Sequence, residues 1–88
     1  MSEVRQPFER DHVIFTDQHG VPRPALLTAV HGDAYLHEGT TYYPSVNLVF
    51  VTSDSAKRDP YGLQIERESS VVHKGMQSAH GNYWSWPE

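Results

Sequence analysis

The 88-residue chain carries 7 Lys and Arg against 11 Asp and Glu, a formal charge of −4, and has no cysteine. That length makes one small domain with no room for a separate substrate domain, and the missing thiols exclude disulfide staples, thiolate nucleophiles and zinc ribbons. A hydrophobic share of 38%, with three Phe, five Tyr and two Trp, suits a compact fold, while the negative balance opposes affinity for phosphate backbones.

Residues 1–10 mix charge with Pro7 and Phe8 and show no period, so they read as an N-terminal arm leading into a single domain over 11–88. The opening residues lack the apolar stretch of a signal peptide, and no run of about 18 apolar residues exists to cross a membrane. The expectation is a protein of the cytoplasm or of a virion, with no membrane partner.

His12-Val13-Ile14-Phe15-Thr16 is short, β-branched and aromatic, and it stops at Asp17-Gln18-His19-Gly20, a turn with Gly placed for positive φ. Pro22 and Pro24 keep the next entry extended and exclude helix, so Ala25 to His31 reads as strand two. From Gly32 to Pro44 the chain shows no helical period and carries Tyr35, Tyr42 and Tyr43, which predicts a long loop after that strand.

Ser45 to Thr52 is the strongest strand, with Val46, Leu48 and Phe50 on one face and Val49 and Val51 on the other. Apolar residues on both faces predict a central strand covered on both sides. A polar stretch follows, with room for one helical turn, and ends in the Asp59-Pro60-Tyr61-Gly62 turn.

Leu63, Ile65 and Arg67 then alternate with Gln64, Glu66 and Glu68, and the phase changes at Ser69-Ser70 before Val71-Val72. A bulge or corner is expected there. This phase would turn Arg67 inward or toward a barrel rim, would give it a structural ion pair with a carboxylate if it is buried, and would leave Glu66 and Glu68 on one solvated face. Tyr83-Trp84-Ser85-Trp86 reads as a closing strand whose indoles must dock. Five short strands, a long loop after the second and a corner in the fourth predict an all-β domain, a small five-stranded antiparallel SH3-like barrel.

Chemistry-bearing constellations are sparse. His31, Asp33 and His37 offer two imidazoles and a carboxylate for a transition metal, but their spacing matches no zinc motif, and surface histidines explain them more simply. Ser69, Ser70 and His73 with Asp59 or Glu66 lack a nucleophile elbow. Paired Glu66 and Glu68 read as a strand face rather than a glycosidic acid and base. No catalytic residue, metal or cofactor is therefore assigned.

The aromatic set is larger than a minimal core requires. Tyr and Trp join large contact area to a polar handle, which suits interfaces, so Phe8, Tyr35, Tyr42, Tyr43, Tyr83, Trp84 and Trp86 are the candidate interface residues. Part of the same set would close the barrel. Lys57, Arg58, Arg67 and Lys74 form the candidate stripe for the alternative reading, a nucleic-acid-binding accessory factor.

Val46-Asn47-Leu48-Val49-Phe50-Val51, Lys57 through Arg67 with its Asp-Pro-Tyr-Gly turn, Ser69-Ser70-Val71-Val72-His73 and Ala79-His80-Gly81-Asn82-Tyr83-Trp84 together resemble small uncharacterised proteins of tailed bacteriophages and prophages. The resemblance runs from about Asp11 to Trp86. It implies no activity, only a context: a virion component, or an accessory factor made in the infected cell. The expectation is a non-enzymatic protein–protein interaction module, such as a capsid-associated or connector protein, with other capsid or connector chains as partners.

Overall fold

The structure is a computed structural model that describes residues 4–76 and 82–87. His80 and Gly81 lie outside the described residues. In chain order the strands are β1 His12–Thr16, β2 Pro22–Val30, β3 Tyr35–His37, β4 Thr40–Tyr42, β5 Val46–Val51, β6 Arg58–Asp59, β7 Gly62–Leu63, β8 Ile65–His73 and β9 Tyr83–Ser85. One 3-10 turn, Lys74–Met76, follows β8.

Five strands close a barrel in the order β1-β2-β5-β8-β9. The expected all-β, five-stranded barrel is the architecture found, with one correction. Every neighbouring pair is antiparallel except β8 and β9, which run parallel through Val72↔Tyr83 and His73↔Trp84. The reason is parity: a closed ring of five strands cannot alternate direction at every seam. The parallel seam joins β8, which the 3-10 turn follows directly, to β9.

Each turn has a local cause. Asp17 accepts hydrogen bonds from the His19 and Val21 amides at 2.9 and 3.1 Å, and Gly20 takes φ 76° to reverse the chain into β2. β5 pairs with β2 only from Leu26 onward, so Pro22 and Pro24 occupy a stretch where β2 has a free edge.

The segment between β2 and β5 is long, as expected, yet it is not irregular. It contains a hairpin, β3 against β4, turned by Glu38 at φ 50° and Gly39 at φ 80°. Positive φ at both central residues matches the right-handed twist of the strands. The polar stretch before β8 holds a second small hairpin, β6 against β7, rather than a helical turn.

The anticipated bulge is present. Val46 pairs with Val71 but Leu48 pairs with Glu68, so β8 spends one residue more than β5, and Ser70 adopts φ 54°. Asn47 Oδ1 accepts the Ser70 amide at 3.0 Å and holds the kink.

The core consists of Val13, Phe15, Ala25, Leu27, Val46, Leu48, Val71 and Trp84, with Val30, Tyr43, Phe50 and Trp86 packed against it. Phe15 and Phe50 stack at 5.0 Å between ring centroids. Three expectations about sidedness fail. Arg67 is exposed, with no salt-bridge partner among the described residues. Glu66, not Arg67, turns toward the half-buried side, and β5 is central in the sheet but covered on one face only. Leu63, Ile65 and Arg67 look like an inward set in sequence, but β5 dictates the β8 phase: Arg67 is registered on outward-facing Val49.

Candidate protein-docking surface

Side chains alternate across a strand, so residues paired between neighbouring strands share a face. Buried Val13, Ala25, Leu27, Leu48 and Phe15 point inward, which sends their neighbours out. One outward row runs across four strands as His12↔Leu26, Leu26↔Val49 and Val49↔Arg67. A second row beside it joins Ile14↔Pro24 on one side and Val51↔Ile65 on the other.

This face is apolar and open. Leu26 is 50% exposed, Val51 51% and Ile65 60%. A shallow groove of about 210 Å³ lies among Pro24, Leu26, Val49, Val51 and Ile65. The sequence signal was present in β5, apolar on both sides, but it pointed to burial rather than to a surface.

The residues expected at an interface separate into groups. Trp84 is a correction: at 0% exposure it lies in the core, where its Nε1 donates to the Pro44 carbonyl at 3.2 Å. Tyr43 is half-buried, 4.3 Å from the His73 ring and 5.6 Å edge-on from Trp84. Trp86 stands perpendicular to Trp84 at 5.1 Å, with the Arg5 guanidinium 3.8 Å over its ring. Tyr83 is half-buried in the pairing with Thr16. Tyr43, Trp84 and Trp86 together form an aromatic cluster at the core's edge, and Tyr83, next to inward-facing Trp84 in β9, lies on the other face of that strand.

Phe8, Tyr35 and Tyr42 are elsewhere. Phe8 is 65% exposed on an arm held by Gln6, which donates to the Ala34 carbonyl at 2.8 Å and accepts the Ala34 amide at 2.9 Å. Tyr35 and Tyr42 stack at 5.2 Å across the β3–β4 hairpin, with Tyr35 largely exposed. Tyr61, at the tip of the β6–β7 hairpin, is fully exposed.

The candidate cationic stripe is not continuous. Lys57 Nζ lies 3.4 Å from Glu66, whose carboxyl is held below its ordinary value first by a Thr52 hydrogen bond and then by the Lys57 charge. Arg58 is exposed on β6, and Arg67 belongs to the apolar face. Lys74 follows Arg67 by seven positions, roughly 20 Å along an extended strand.

His31 Nε2 is 2.8 Å from Asn47 Oδ1, and His37 is exposed beside Glu38. Among the described residues no three His, Cys, Asp or Glu side chains converge as a metal site would require. His73 Nδ1 accepts the Gly75 amide at 3.1 Å, and the ring lies tilted against Tyr43 and edge-on to Trp84. Burial, with a smaller push from Lys74, lowers its basicity. That histidine is committed to packing rather than to a serine. No helix among the described residues is long and apolar enough to cross a membrane.

No protein-family model, curated protein or solved structure matches the chain.

Proposed function

We propose that the barrel is a non-enzymatic protein–protein interaction module that docks a partner on the outward face of β2, β5 and β8. One observation carries the reading: Leu26, Val49, Val51 and Ile65 form an apolar surface around a groove where the β2–β5 and β5–β8 pairings end. Burying such side chains is worth about 1.5–3 kcal/mol each, enough for a few of them to anchor an interface. A rigid sheet loses little conformational freedom on binding, which favours association further.

The resemblance to phage proteins supports a narrower form, a virion component such as a capsid-associated or connector protein. The stacked Tyr35 and Tyr42 and the exposed Phe8 offer secondary contacts to a neighbour in such an assembly.

The test is capture from the native source lysate with wild-type protein and with a triple variant, Leu26→Thr, Val51→Thr and Ile65→Thr, each with and without nuclease. Threonine keeps strand propensity while removing apolar area. Proteins retained by the wild type through nuclease treatment and lost by the variant support the reading, and virion proteins among them support the narrower form. Retention that disappears with nuclease favours nucleic-acid binding. Retention unaffected by the three substitutions removes this face from the proposal.

A further inference from the structure

We infer that the partner presents an amphipathic helix whose apolar stripe is bordered by carboxylates, and that Arg67 selects the charge. This inference rests on the interaction reading above and adds the chemistry of the occupant.

The geometry disfavours strand addition on this surface. β2 and β5 are paired on both sides where the first row crosses them at Leu26 and Val49, and at the second row each has one unpaired side, which on β2 carries Pro22 and Pro24 with no amide to donate. An extended peptide laid over it would press its own amides and carbonyls against Leu26, Val49 and Val51 without partners, at a cost. A helix satisfies its backbone internally and projects a stripe of side chains at i, i+3, i+4 and i+7. The widths agree: four strands span about 14 Å, and about ten helical residues span 15 Å.

The charge follows from what stands in the two rows. Arg67 ends one row, His12 begins it, and Leu26, Val49, Ile14, Pro24, Val51 and Ile65 complete the two rows with apolar side chains. None is a carboxylate, although the chain as a whole carries −4. The protein has therefore placed its acidic groups off this surface and left an exposed guanidinium on it, free of any salt bridge among the described residues.

A second copy of the chain fits poorly. A two-fold contact joins the same patch to itself, so each Arg67 would meet a face with no carboxylate to answer it. A helix bearing Glu or Asp beside its apolar stripe supplies that answer.

The experiment titrates two synthetic helical peptides of about 14 residues, four turns, into isotope-labelled full-length protein. They share one Leu stripe and differ only in carrying Glu or Lys beside it. The Glu peptide is expected to shift the amides of Leu26, Val49, Val51, Ile65 and Arg67, to bind roughly tenfold more tightly than the Lys peptide, and to weaken with salt. Arg67→Glu should reverse the preference, and Arg67→Gln should abolish it, with the amide spectrum reporting that both variants remain folded.

Equal binding of the two peptides, preference for Lys, or shifts confined to Tyr35 and Tyr42 overturns the assignment. If neither peptide binds while capture still depends on Leu26, Val51 and Ile65, the helix and its charge are wrong and the interaction reading stands. If capture is also independent of those residues, both fall.

Discussion

The indole Nε1 of Trp84 donates to the carbonyl of Pro44 at 3.2 Å, joining the closing strand to a residue 40 positions earlier. This bond seals the barrel where the β3–β4 segment returns to β5, so Trp84 acts as both core and latch. Trp84→Ala is expected to cost about 3–5 kcal/mol, the range for deleting a buried large aromatic. Trp84→Phe, which keeps most of the packing but loses the donor, should cost less. Urea unfolding of the two variants beside wild type measures both, and a loss under about 1 kcal/mol for Trp84→Ala would contradict the latch.

Tyr43 and Tyr42 are neighbours in sequence with opposite expectations. Tyr43 packs on His73, Trp84 and Trp86, so Tyr43→Ala should destabilise the fold by about 2–4 kcal/mol. Tyr42 stacks on exposed Tyr35, and replacing both by Ala should cost about 1 kcal/mol or less. Thermal midpoints distinguish the pair directly.

Asp17 is held below its ordinary value of 3.8, first by the Val21 amide, then by the His19 amide and by Arg23, whose guanidinium lies 2.6 Å away. A lowered carboxylate stabilises the fold above the ordinary value and loses that contribution as pH falls through the folded one. Asp17→Asn should lower stability at neutral pH by about 1–2 kcal/mol and flatten the decline below pH about 4. An unchanged acid limb would show that other carboxylates dominate it.

His73 titrates in the other window. Burial disfavours its charged form, so the unfolded chain binds a proton more readily than the native one. Stability is then undiminished by this residue above its ordinary value of 6.5 and declines as pH falls from there toward the folded value. His73→Phe, which can keep the ring contacts with Tyr43 and Trp84, should remove that step from a series of melting curves between about pH 7 and pH 5.

Ser70 occupies φ 54°, a conformation glycine adopts without strain. Ser70→Gly should be neutral or slightly stabilising, whereas Ser70→Val should cost about 1–2 kcal/mol because a β-branched residue resists that region. Equal stability of the two variants would argue that β8 can straighten and that the bulge is not required.

Much of the barrel was legible in the chain. β-branched and aromatic runs marked β1, β2, β5 and β8, and Asp17 with Gly20 and Asp59 with Gly62 marked their turns. The phase change at Ser69-Ser70 marked the bulge, because a strand has a strict period of two and an extra residue must break it. The β3–β4 hairpin escaped notice because its strands are short, exposed and lack apolar alternation, and because Glu38-Gly39 is a weaker turn signal than Asn-Gly or Asp-Gly.

The candidate surface was legible only as a set of residues, not as a surface. The apolar residues at Val49, Val51 and Ile65 are plain in the sequence, but a strand pattern with both faces apolar does not say which face the core takes. Composition and period determined that the chain folds as a small β domain and where its strands lie, because those depend on neighbours in sequence. Tertiary structure alone decided that Trp84 is core, that β8 and β9 run parallel and that Arg67 stands outward beside Leu26 and Val49. Each of those depends on the register between strands distant in sequence and on the parity of a closed five-membered ring.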